Sequence, residues 1–167
     1  MSELVLSNAR LPDGRIADIS IDQGIITHIG SSGDAERVIN CRNRLCIPAA
    51  TDMHVHMRDG PQAAKETWKT GTQAAAAGGV ATVIDQPNTI PPIETVENFQ
   101  KRADLAFKES FCHFGINGSV TENADIPGLA EAGVLAFGEM FAAPSSYGSA
   151  LTVEVIRNSL KTIADQN

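Results

Sequence analysis

A chain of 167 residues with 43% hydrophobic content can bury one core with room for a small second one. A net charge of −7, with no basic cluster, argues against nucleic acid or an anionic membrane as partner. No apolar run is long enough to span a bilayer, and Met1-Ser2-Glu3-Leu4 does not start like a signal peptide. Cys41, Cys46 and Cys112, odd in number and without zinc-type spacing, argue against a disulfide framework and for a reducing cytoplasm.

Residues 3–47 read as short strands joined by turns. Leu4-Val5-Leu6 precedes the turn Leu11-Pro12-Asp13-Gly14-Arg15. Ile19 and Ile21 are split from Ile25, Ile26 and Ile29 by Asp22-Gln23-Gly24, a hairpin signal because glycine accepts positive φ. Glu36-Arg37-Val38-Ile39-Asn40 is a further strand candidate. The expectation is a small antiparallel sheet, a β-sandwich segment over residues 1–47, with His28 structural among the isoleucines.

The next stretch is Pro48-Ala49-Ala50-Thr51-Asp52-Met53-His54-Val55-His56-Met57-Arg58. Alternate residues of a strand share one face, so Asp52, His54 and His56 point one way and Arg58 follows just past the strand. Neutral imidazole is the commonest protein ligand for divalent transition metals. The plain alternative is a polar strand face with two hydrogen-bonded histidines. The flanks favour the metal: Leu45-Cys46-Ile47-Pro48 is an apolar entry and Arg58-Asp59-Gly60-Pro61 a loop exit. Together they put the histidines at the C-terminal end of a buried strand, where barrel enzymes keep their chemistry.

Beyond residue 60 helix and strand alternate. Residues 63–77 read as a helix stopped by Gly78-Gly79, with Lys65-Glu66-Thr67 as its solvated start and Trp68 packing. Val80 to Asp85 is a buried strand, and Gln86-Pro87-Asn88-Thr89 follows at its mouth. Thr95 to Lys108 is an amphipathic helix with Val96, Phe99, Ala103 and Ala106-Phe107 on one side. Phe111 to Ile116 is a strand in which His113 reads as packed. Ile126 to Ala132 is a helix closed by Gly133, Val134 to Phe137 a strand, and Leu151 to Ala164 a helix started by Ser149. Ser145, Ser146 and Tyr147 could line the mouth. Four β/α units over residues 48–167 imply a parallel sheet. They amount to the N-terminal half of a (β/α)8 TIM-type barrel, so the expected fold class is α/β and the chain reads as a fragment. Arg58 and Asn88, from neighbouring strand mouths, pair an arginine fork with an amide, a suitable grip on a carboxylate; the plain reading of Pro87-Asn88-Thr89 is a turn.

Thr51-Asp52-Met53-His54-Val55-His56-Met57-Arg58, Gly78-Gly79-Val80-Ala81-Thr82 and Pro87-Asn88-Thr89 together resemble the cyclic amidohydrolases of the amidohydrolase superfamily, most closely the dihydroorotase family. Hydantoinases share the His-x-His but usually lack Pro-Asn-Thr, and allantoinases usually lack the arginine at Arg58. The resemblance implies that His54 and His56 ligate zinc in a one- or two-metal centre. It implies that Arg58 and Asn88 bind the substrate carboxylate and that Asp52 supports the centre from outside it. The implied reaction is reversible cyclisation of N-carbamoyl-L-aspartate to L-dihydroorotate in pyrimidine biosynthesis. Self-association or association with aspartate carbamoyltransferase is implied as well. The alternatives are an allantoinase- or hydantoinase-like hydrolase and a non-catalytic dihydroorotase-like subunit.

Three departures from the family pattern stand out. Pro48-Ala49 replaces Pro-Gly, and Gly60-Pro61 reverses the usual order. Gly138 falls where many members carry a carboxylated lysine that bridges two metals. Glu139 is the carboxylate beside it, but strand alternation points it away, so a bulge or a one-residue slip would be needed. Otherwise the site holds one metal or borrows its bridging group elsewhere. The resemblance puts further ligands and the general base beyond Asn167, so the 167 residues alone are expected to be inactive and to fold poorly.

Overall fold

The computed structural model describes residues 1–144 and 149–166, and the chain divides into two compact units, Met1–Pro48 and Ala49–Asn167.

The first unit is a four-stranded sheet of β1 (Ser2–Arg10), β2 (Ile16–Asp22), β3 (Ile25–Gly30) and β4 (Ala35–Asn40), in the order β3-β2-β1-β4. Gln23 (φ 51°) and Gly24 (φ 75°) turn the β2–β3 hairpin, with positive φ at both central positions as a type I′ turn requires. The sheet is mixed and not antiparallel as expected: β4 pairs with β1 in parallel. The chain leaves β3 at one edge and crosses to the other, so β4 enters beside β1 in the same direction. Ala9, Leu11 and Ile19 form its buried core, with Cys41 and Cys46 packed against them as free thiols. His28 is exposed on β3.

The second unit is α/β. Its strands β5 (Ala50–Val55), β6 (Val80–Asp85) and β7 (His113–Ile116) form a parallel sheet in chain order, and β8 (Gly118–Ser119) pairs in parallel with β9 (Phe137–Gly138). Between and after them run α1 (Trp68–Ala77), α2 (Val96–Glu109), α3 (Ile126–Ala132) and α4 (Val153–Ala164). Met57, Trp68, Val83, Ile93, Phe99, Ala106, Ile116 and Leu129 make up the core. Trp68 is fully buried, edge-on to Phe114.

Caps decide where the helices begin. α1 starts at Trp68, later than residue 63, because Thr67 and Thr70 form a reciprocal capping box and Gly60–Gln62 is a separate 3-10 turn. α4 is capped by Thr152, whose side chain accepts from Val155 N, and not by Ser149. On α2, Phe107 is exposed while Phe99 and Ala106 are buried. The strand expected at 134–137 shrinks to Phe137–Gly138. Ser145, Ser146 and Tyr147 lie outside the described residues. Among the described residues no helix is long and apolar enough to cross a membrane.

Candidate metal centre

Asp52 and His54 are on β5, and His56 follows its last residue, Val55. The two imidazoles are edge-to-face, with centroids 5.2 Å apart. Both meet one carboxylate: His54 Nε2 and His56 Nε2 lie 3.4 and 3.6 Å from Glu139 Oε1. One ligand atom from each of the three residues lies within 4.8 Å of the others. Glu139 comes from directly after β9, with φ at 55°. That left-handed residue breaks the strand alternation that would have carried the carboxylate elsewhere. Such a conformation costs a non-glycine residue of order 1–3 kcal/mol and persists where surrounding structure imposes it.

Donor and acceptor roles make the cluster electron-rich. His56 Nδ1 lies 2.8 Å from Asn88 Oδ1. An amide oxygen only accepts, so in the neutral tautomer with its proton on Nδ1 the ring donates to Asn88 and the Nε2 lone pair faces Glu139. Glu139 Oε2 is buried and has no hydrogen-bond partner among the described residues. Leaving a buried carboxylate oxygen unpaired is costly. A divalent cation among the three side chains would satisfy it and the imidazole lone pairs together, so the residues fit a metal ion. Asp52 acts locally, its Oδ1 accepting from His54 N at 3.1 Å.

Asn88 and Glu139 line a cavity of about 280 Å³ together with Pro92, Ser119, Val120 and Phe141. Arg58 lines a second cavity, of about 140 Å³, with Ile90, Pro91, Lys101 and Arg102. The two expected carboxylate-binding residues therefore open onto different cavities. Gly138 faces amides: a Cβ there would stand 3.3 Å from Gln86 Oε1 and 3.7 Å from Asn117 Nδ2. Gln86 and Asn117 hydrogen-bond to each other at 3.3 Å, and Gln86 also donates to Met53 O.

Asp85 and Arg102 had not been singled out from the sequence. Asp85, the last residue of β6, is fully buried. Its Oδ2 accepts from Arg102 Nε and Nη2 at 2.9 and 2.7 Å, and its Oδ1 from Met57 N at 2.8 Å. Burial pushes the Asp85 carboxyl upward from its ordinary pKa, opposed by the Arg102 guanidinium, the Met57 N–H and His56. A signal was present: Arg102 is three residues after Phe99 and four before Ala106, inside the apolar stripe of α2. A cation there needs a buried anion, and Asp85 closes an apolar strand.

The chain matches the family model described as dihydro-orotase-like over residues 43–151. It is 45% identical over 151 residues to a dihydroorotase of Methanosarcina mazei, which covers 88% of this chain and 33% of that protein. It is 35% identical over 164 residues to a dihydroorotase of Halobacterium salinarum, covering 98% of this chain and 39% of that protein. The chain thus spans about a third of the length of the curated relatives it matches. Among solved structures, an L-hydantoinase (dihydropyrimidinase) from Arthrobacter aurescens superposes with a TM-score of 0.87 at 25% identity, covering 99% of this chain and 39% of that one. With well over half of its residues inside the family match, the chain belongs to the dihydro-orotase-like family.

Proposed function

We propose that the protein carrying this chain is a dihydroorotase, a zinc-dependent enzyme that interconverts N-carbamoyl-L-aspartate and L-dihydroorotate. The observation that carries this reading is the convergence of His54, His56 and Glu139, with an unpartnered buried oxygen on Glu139. Two ligands about 2.0–2.1 Å from a tetrahedral zinc stand about 3.3–3.4 Å apart. The separations of 3.4 and 3.6 Å across the cluster are close to that.

His54 and His56 would each give Nε2, and Glu139 its carboxylate in place of a lysine on the fourth strand; whether one or two ions are held follows from metal content. Bound there, zinc supplies Lewis-acid polarisation of the ring amide carbonyl and lowers the pKa of the attacking water. The chain's own residues do the rest of what this portion contributes. Asn88 holds the His56 proton on Nδ1 through Oδ1, and its Nδ2 hydrogens are what it offers a substrate carboxylate. Arg58, which lines the neighbouring cavity, would supply the cationic half of that grip by reaching across from it. Asp52 steadies the His54 backbone. The second unit reads as the first half of a (β/α)8 barrel and the first as part of a β-sandwich, in keeping with the L-hydantoinase likeness. Three free thiols suit a cytoplasmic protein. Self-association or association with aspartate carbamoyltransferase belongs to the same reading and is tested by size-exclusion chromatography.

The test is to purify the protein, measure bound metal after dialysis, and compare turnover of L-dihydroorotate, allantoin and a 5-substituted hydantoin. Retained zinc and preference for dihydroorotate support the proposal. Preference for the hydantoin, which the structural likeness favours as the second reading, would replace it. Zinc-free protein without turnover of any ring would leave a non-catalytic subunit.

A further inference from the structure

Where the chain leaves the histidines, three consecutive residues are anchored by buried or capping groups. Met57 N donates to Asp85 Oδ1 at 2.8 Å. Arg58 O accepts from Arg102 Nη1 at 2.7 Å. Asp59 N donates to Glu66 O at 3.0 Å, and Asp59 Oδ2 accepts from Trp68 N, the first residue of α1, at 2.6 Å. Arg58 and Asp59 are both left-handed, with φ of 50° and 62°. Two such residues in succession cost of order 1–3 kcal/mol each, so the anchors must over-determine them.

The centre of this arrangement is the Asp85–Arg102 pair. Arg102 spends two nitrogens on Asp85 and a third on the Arg58 carbonyl, with its guanidinium 5.0 Å from the Trp68 ring centroid. Asp85 divides its oxygens between Arg102 and the Met57 amide. The pair therefore grips the peptide group directly after His56 and the one directly after Arg58. Neither side chain is in the His54–His56–Glu139 cluster. An ion pair serving stability alone is replaceable by well-packed apolar residues at little cost. That account gives no role to the bonds reaching the 57–58 backbone.

We propose that Asp85 and Arg102 are positioning residues: they hold the Met57–Arg58 turn and so set where His56 meets its metal and where Arg58 meets a substrate carboxylate. This rests on the functional reading above. The role needs a planar fork whose separate nitrogens reach Asp85 and the Arg58 carbonyl at once, a span that lysine's single ammonium lacks.

The test uses the protein with its full chain and two readouts: zinc affinity by competition with a chromophoric chelator, and kcat and KM for dihydroorotate. Arg102→Lys keeps a cation beside Asp85 and gives up the bond to Arg58 O. It should fold, lose about tenfold in zinc affinity, as loss of a group orienting a ligand does, and raise KM more than it lowers kcat. Leu129→Ala, a core truncation in α3, should melt at lower temperature than Arg102→Lys and leave zinc affinity and KM within about twofold, because it does not touch the turn. Arg102→Lys equal to the parent in both readouts overturns the proposal, as does Leu129→Ala matching its losses. If Arg102→Lys does not fold, Asp85→Asn takes its place with the same expectations, since its amide oxygen still accepts from Met57 N. If neither folds, hydrogen exchange on the unaltered protein decides. A Met57 amide as slow as the β6 amides supports the clamp, and one as fast as exposed amides overturns it. Absent turnover of dihydroorotate with zinc affinity still sensitive to Arg102→Lys would sink the functional reading and leave the clamp standing.

Discussion

Two charged clusters within the second unit are bonded to opposite degrees. At Asp85 and Arg102, the charges are buried and each oxygen of the carboxylate has a donor. At His54, His56 and Glu139, two imidazole nitrogens and a carboxylate face each other, and Glu139 Oε2 has no partner among the described residues. In the first cluster both carboxylate oxygens and all three guanidinium nitrogens are engaged. The second, with its imidazoles neutral, presents lone pairs to one another, which suits a cation. Burial separates them in part, since His54 and His56 are 63% and 26% exposed, but the Glu139 side chain is only 13% exposed. Hydrogen-bond saturation separates them further.

The contrast can be broken most directly at the unsaturated cluster. Glu139→Gln should cut turnover at least about a hundredfold and release zinc on dialysis, because losing a ligand costs more than losing a group that orients one; an active, zinc-replete variant would remove Glu139 from the centre. Asp85→Ala should be felt in stability as well as at the turn after His56. It strands a buried guanidinium and should cost about 3–5 kcal/mol of stability, read from denaturant unfolding. A loss below about 1 kcal/mol would mean that water reaches Arg102 readily. The platform under that guanidinium is tested by Thr67→Ala, which removes the capping box at the start of α1. About 1 kcal/mol of stability should go, with zinc content unchanged.

The smallest effect is expected at a half-buried carboxylate that belongs to neither cluster. The Ser32 hydroxyl, with the Asn8 amide, holds the Asp18 carboxyl below its ordinary pKa. A lowered folded-state pKa stabilises at pH above the unfolded value and loses that contribution as pH falls through the folded one. Asp18→Asn should therefore destabilise slightly at neutral pH. The difference from the parent should shrink as pH falls from about 3.8 through the folded pKa. A gap that widens in acid would contradict the sign.

Much of the fold was legible locally. The Asp22-Gln23-Gly24 turn, the stop at Gly133 and the parallel run β5-β6-β7 follow from glycine conformation and from alternating strand and helix patterns. The pairing of β4 with β1 was not legible, because strand direction across a sheet depends on which edge the connection reaches. The helix at Trp68 starts well after the expected residue 63 and that at Val153 just after the expected Leu151, since the choice among nearby threonines and serines is made by which side chain reaches the second or third amide.

By itself the sequence determined the chemistry on offer: two histidines one residue apart, an arginine beyond them, an asparagine at the next strand's mouth and a glutamate after Gly138. Those follow from spacing, which acts over a few residues. Only the tertiary structure decided that Glu139 turns back toward the histidines, that Asn88 fixes the His56 proton, and that Arg58 and Asn88 open onto separate cavities. It also matched Asp85 to Arg102 across α2. The physical reason is common to all of these. Each joins residues far apart in the chain through one left-handed backbone angle or one hydrogen bond, and no local periodicity records either.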